Sequence, residues 1–134
     1  FSLVLMTAIQ EKFTLSDPVK IGSLDYAEPN KTYNFDVPDI IPMYARKIYL
    51  MSATRSGNEI NSWVNIKVWT RNPSTNVCNY HHKRFFRYPQ NAISYDSETF
   101  GLPLYHDRKI YAFTDHCQID NCHKTELFVV GWKI

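Results

Sequence analysis

Residues 1–77 of this 134-residue chain contain neither cysteine nor histidine. Glycine is scarce as well, with four scattered residues. No glycine-rich phosphate loop, His-Glu-x-x-His or Gly-x-Ser-x-Gly occurs, which removes the familiar nucleotide, zinc-protease and serine-hydrolase signatures. No apolar run approaches the ~20 residues that a membrane-spanning helix needs. Ala and Glu, both good helix formers, are sparse, and no segment shows a capped helical period. Charge of either sign is nearly balanced, at a net +2. That balance does not by itself call for nucleic acid or an anionic membrane. Asp96-Ser97-Glu98 sets two carboxylates two residues apart, a common loop feature in a β protein. No catalytic constellation assembles, so the expectation is a chain that is not an enzyme and needs no cofactor or metal.

What is abundant is aromatic. Aromatic residues make up 15% of the chain, with nine Tyr and eight Phe, a bias toward pleated surfaces rather than helices. A length of 134 residues fits one domain, residues 1–134, large enough to bury a core without a staple. Turn signals recur at short intervals: Ser16-Asp17-Pro18, Glu28-Pro29-Asn30, Val37-Pro38-Asp39, Arg55-Ser56-Gly57-Asn58, Arg71-Asn72-Pro73-Ser74, Tyr88-Pro89-Gln90-Asn91, Gly101-Leu102-Pro103 and Asp120-Asn121. Segments of roughly five to ten residues lie between them. The spacing predicts an all-β fold, an antiparallel β-sandwich of jelly-roll-like build.

Trp63–Trp69 is the clearest strand. Val64, Ile66 and Val68 share a core face; Trp63, Asn65, Lys67 and Trp69 share a mixed one. Thr125–Ile134 alternates too, with Phe128, Val130, Trp132 and Ile134 on one face and Leu127, Val129 and Lys133 on the other. A strand apolar on both faces is central, or meets a partner. Ala45–Ala53 and Arg108–Thr114 are strong strands. Phe1–Ala8, Thr32–Val37, Val77–Arg87 and Ala92–Tyr95 are weaker ones.

All three cysteines and five histidines lie between Cys78 and His123. If Arg108–Thr114 and Thr125–Ile134 pair antiparallel, Cys117 and Cys122 face each other across a tight turn, at a separation a disulfide accepts. Cys78 is then left as a link between chains or a free thiol. A zinc site would draw on Cys78, His81, Cys117, Cys122 and His123, with loose ligand spacing. Reduced structural cysteines are the third reading. His81 and His82 are adjacent on a strand, so they point to opposite faces; the histidines read as surface polar residues. The segment His81–Arg87 is basic with aromatic interleaving, which suits a sulfated glycan or single-stranded nucleic acid, or a solvated strand face.

The segment Tyr105-His106-Asp107-Arg108 gathers a ring, an imidazole, a carboxylate and a guanidinium before a strong strand. Sugar recognition uses these types: charged groups exchange directed hydrogen bonds with hydroxyls, and a ring covers an apolar sugar face. Trp63 and Trp69 are the stacking candidates. The structural alternative is a strand-entry turn. Asn30-Lys31-Thr32 is a glycosylation sequon in a turn. The chain opens on Phe1 and lacks a basic n-region, as expected of a mature or trimmed N-terminus.

The segments Ala45–Ala53, Val64–Trp69 and Leu127–Ile134 resemble those of the H-type lectin domain of snail agglutinins and related secreted invertebrate modules. The stretch Thr70–Arg108 is longer than that pattern. The resemblance implies a secreted β-sandwich that forms a trimer and binds sugars near protomer interfaces; it assigns no binding residue. The expectation is therefore a secreted, oligomeric, non-enzymatic module whose partner is extracellular glycan, with no nucleic acid and no membrane span. An extracellular matrix subunit and a viral or phage attachment domain are the alternatives.

Overall fold

A computed structural model of the chain describes residues 12–24, 31–55, 63–86, 95–117 and 124–134, the side chains of 85–86 and 115–117 excepted. The strands are β1 (Lys12–Leu24), β2 (Lys31–Asp36), β3 (Lys47–Arg55), β4 (Trp63–Arg71), β5 (Cys78–Phe86), β6 (Tyr95–Pro103), β7 (Lys109–Cys117) and β8 (Lys124–Lys133). They form two antiparallel four-stranded sheets, ordered β1-β8-β3-β6 and β2-β7-β4-β5. The chain is one long ribbon in which β1 pairs β8, β2 pairs β7, β3 pairs β6 and β4 pairs β5. Winding this ribbon adds the β3·β8 and β4·β7 pairs and sends successive ribbon segments to opposite sheets. That is a jelly-roll sandwich, as the sequence predicts.

Every strand of the centre alternates. Val64, Ile66 and Val68 of β4, Ile110 and Ala112 of β7, Ile48 and Leu50 of β3, and Leu127 and Val129 of β8 are all buried. Across the sandwich the packing changes character. Toward β1 and β2 it is aromatic, with Phe13 stacked on Trp132 at 4.3 Å and Tyr33 beside Phe35. Toward β5 and β6 it turns polar: His81 Nε2 faces Glu98 Oε2 at 3.1 Å, and Lys83 lies 3.8 Å from Asp96. Phe100 stacks on the His81 ring at 3.9 Å. His81 is thus an inward residue packed between the sheets, not the surface residue the sequence predicts, whereas His82 is exposed. Both carboxylates of Asp96-Ser97-Glu98 belong to β6 and face β5; they are not on a loop.

Four other expectations change. The turn signal Ser16-Asp17-Pro18 lies inside β1, where the register breaks between Thr14 and Val19. An edge strand tolerates such a bulge, and the N–H that Pro lacks is not needed by a neighbour there. Gly101-Leu102-Pro103 ends edge strand β6 instead of turning. In β8 a further register break, opposite Tyr49 and Leu50, shifts the alternation. It moves Trp132 opposite Ile48 and onto the core side with Leu127 and Val129, off the face that regular alternation shares between it and Phe128. Finally, β7 and β8 belong to different sheets, so they do not form the expected hairpin. Phe1–Ala8 lies outside the described residues.

The loops at one end are tightly built. Asn76 takes φ 62°, and its N–H bonds to the carbonyl of Asn72 at 2.7 Å. Thr70 Oγ1 donates to the carbonyl of Pro103 at 2.6 Å, tying the sheets together. Gly131 of β8 pairs with Thr14 of β1, and a Cβ there would come within 2.5 Å of the Phe13 carbonyl oxygen. Backbone cannot rotate aside as a side chain can. Gly131→Ala should therefore lower stability by about 1–3 kcal/mol, measured by urea denaturation.

Candidate functional site

The alternation that fills the core also fixes the outer face of the β2-β7-β4-β5 sheet. Register places Asn34, Tyr111, Trp69 and Tyr80 in one row across the strands. The next row holds Thr32, Phe113, Lys67 and His82. The Trp69 ring lies 5.8 Å from Tyr111, nearly parallel, and 5.4 Å from Tyr80. Tyr80 is exposed, Trp69 and Tyr111 half-buried. Cations flank this row. Arg71 lies 5.4 Å from the Tyr111 centroid and Lys67 5.0 Å from that of Tyr80. Cation–π attraction holds these charges to the rings without neutralising them. Arg71 also donates to the Tyr111 hydroxyl at 3.4 Å, while its Nε is shut off from solvent with no acceptor among the described residues. Cys78 begins β5 opposite Arg71 as a free, half-buried thiol. A hydrogen bond with Cys78 pushes the Tyr80 hydroxyl above its ordinary pKa.

Of the two candidate tryptophans, only Trp69 sits in this row. Trp63 is six residues away on β4, about 20 Å along the strand, where Arg84 covers its ring at 4.7 Å. The loop between β6 and β7 holds the other candidates. Tyr105 accepts a hydrogen bond from Asn79 Nδ2 at 2.7 Å, which anchors it beside β5. His106 is exposed and Asp107 half-buried. Arg108 takes φ 53° and turns its guanidinium onto the loop 38–45. There it donates to the carbonyls of Pro38 at 3.1 Å, Ile41 at 2.6 Å and Pro42 at 3.2 Å. Its fork is used in bracing that loop, which plugs the core with Ile41 and leaves Ile40, Met43 and Tyr44 exposed. The structure therefore does not bring the six sequence-chosen residues together. It brings Trp69 together with Tyr80, Tyr111, Lys67 and Arg71. The period-two pattern of Lys109–Phe113 and Tyr80–Arg84 held that signal.

The cysteine readings divide. Cys122, His123 and Asn30 lie outside the described residues. Cys117 and Cys78 pair with Trp63 and Arg71, at opposite ends of β4. Eight residues of strand separate them, about 27 Å, so the two cannot ligate one ion. With β7 and β8 in different sheets, the geometric premise for a Cys117–Cys122 clamp is gone. On the other sheet, a cavity of about 440 Å³ is lined by Ala53, Arg55, Tyr95, Ser97, Lys124 and Glu126. Glu126 meets Lys20 at 2.8 Å and Lys124 at 3.4 Å. The Lys20 hydrogen bond holds its carboxyl below the ordinary carboxylate range, against a smaller opposing effect of burial.

No protein-family model and no curated protein sequence matches the chain. Fold and face define it as a jelly-roll sandwich with an aromatic and cationic outer sheet.

Arg108→Ala would leave three carbonyls without their shared donor and should cost about 2–4 kcal/mol in denaturant unfolding. Lys offers no equivalent fork, so Arg108→Lys should recover little of it. Glu126→Gln should cost under about 1 kcal/mol at pH 7. A depressed folded-state pKa contributes stability above the unfolded value, and that contribution is lost as pH falls through the folded one. The difference between Glu126→Gln and wild type should thus vanish in acid, as read from melts across pH.

Proposed function

We propose that the chain is a secreted, non-enzymatic recognition module that binds extracellular glycan on the outer face of the β2-β7-β4-β5 sheet. The observation that carries this reading is the Tyr111-Trp69-Tyr80 row with its two flanking cations. Rings cover the apolar C–H faces of sugars, and the guanidinium, ammonium and phenol groups beside them donate to hydroxyls. Asn34 extends the row with an amide. His106 and Asp107 lie on the loop that Tyr105 ties to Asn79 of β5, and would add polar groups from there. Such a shallow face binds each sugar weakly. Repetition in a homo-oligomer would raise avidity without any new contact, and the resemblance to H-type lectin modules points to a trimer.

A matrix-assembly role is the second reading. Its support is the braced loop that exposes Ile40, Met43 and Tyr44 at 59%, 77% and 61%. Elution of the protein from a sugar column by free sugar separates the two, since a matrix subunit would not be released. On a glycan array, Trp69→Ala should lower binding by about tenfold or more while the protein stays folded. Asp107→Ala should weaken the signal less than Trp69→Ala does, without unfolding. Array binding unchanged by Trp69→Ala would remove this face from consideration.

A further inference from the structure

The opposite sheet carries a charged row that the glycan face does not use. On its outer side, Lys12 of β1, Lys133 of β8 and Lys47 of β3 stand in direct cross-strand register. Like charges placed opposite one another on neighbouring strands repel and destabilise the pairing. The row beside it reads Thr14, Gly131, Tyr49 and Gly101, so Tyr49 has a glycine on each flank. The Lys12 ammonium lies 4.1 Å and the Lys47 ammonium 5.3 Å from the centroid of that one ring. A Cβ at Gly101 would come within 2.6 Å of Lys47 Cε and 3.0 Å of the Tyr49 ring. The missing side chain is what gives lysine and ring their room. No carboxylate among the described residues pairs with Lys12, Lys47 or Lys133. Lys20, Lys83, Lys109 and Lys124, by contrast, each lie against an Asp or Glu.

We propose that this row binds a tetrahedral oxyanion, carried as a sulfate ester on a saccharide or present as free phosphate. Ammonium groups on three adjacent strands, each strand about 5 Å from the next, suit an anion with three accepting oxygens. A carboxylate offers only two. The Tyr49 ring, within reach of two of the ammoniums, attracts both, which offsets part of their repulsion. This site lies on the sheet opposite the aromatic row, and its test does not depend on the glycan reading of that row.

The experiment titrates the full chain and its Lys47→Gln/Lys133→Gln variant. The probes are a sulfated oligosaccharide, its desulfated counterpart, inorganic phosphate and a single-stranded oligonucleotide. Wild type should bind the sulfated sugar at least about tenfold more tightly than the desulfated one, and added salt should weaken the binding. The double variant should lose about tenfold or more of that affinity while melting within a few degrees of wild type. Phosphate binding as well would assign a free anion; its absence would assign the ester, and either supports the site. Equal binding of the desulfated sugar, unchanged binding by the double variant, or tighter binding of the oligonucleotide would overturn it. So would a variant that melts far lower, because the row would then be structural.

Discussion

Two sheets can share a core only if each strand sends every second side chain inward, and the rest of this molecule follows from that constraint. Ile48, Leu50, Val68, Ile110, Leu127 and Val129 meet between the sheets with essentially no exposure. Burying each such side chain contributes about 1.5–3 kcal/mol. A one-residue slip in any strand would exchange its faces and forfeit several of these terms together. No outward contact is strong enough to compete. The rows Tyr111-Trp69-Tyr80 and Lys12-Lys133-Lys47 are therefore held in place by residues behind them, on strands that have no freedom to shift. The register break in β8 is the instructive exception. It gives up regular alternation and gains the Trp132 indole for the core, stacked on Phe13 and met edge-on by Tyr44.

Much of the fold was legible because burial leaves a local trace. The alternation of Trp63–Trp69 named β4 and its inward face, and the aromatic bias with frequent turns named an all-β sandwich. Pairing was not legible, since it is a property of the whole ribbon. Among the described strands, neighbours in sequence pair only at β4·β5; β7 and β8 are adjacent in the chain yet lie in opposite sheets. Edge strands were hidden for a related reason. An edge tolerates Pro18 in β1 and Gly101 and Pro103 in β6, the same residues that read as turns. The site was half legible. Trp69 could be placed on an outward face from its own strand, but Tyr80 and Tyr111 reach it only through the registers of β5 and β7. Residue type alone also misjudged Arg108, because its positive φ aims the guanidinium at carbonyls of another loop.

The net charge of +2 conceals how the charges are sorted. Among the described residues, Asp36, Asp96, Glu98 and Glu126 each meet a cation or a histidine. Two of these pairs occupy the seam between β5 and β6, where the inner faces have turned from aliphatic to polar. An ion pair such as Lys83–Asp96 cancels its own field at a distance. Lys12 and Lys47 at Tyr49, Lys67 at Tyr80 and Arg71 at Tyr111 are arranged differently, each against a ring. A ring holds a cation by its quadrupole and leaves the net charge in place. The outer faces of both sheets thus keep a positive field that composition does not reveal. A ligand bearing anions would meet that field before any ring contact forms, so approach and grip are separable properties of this surface.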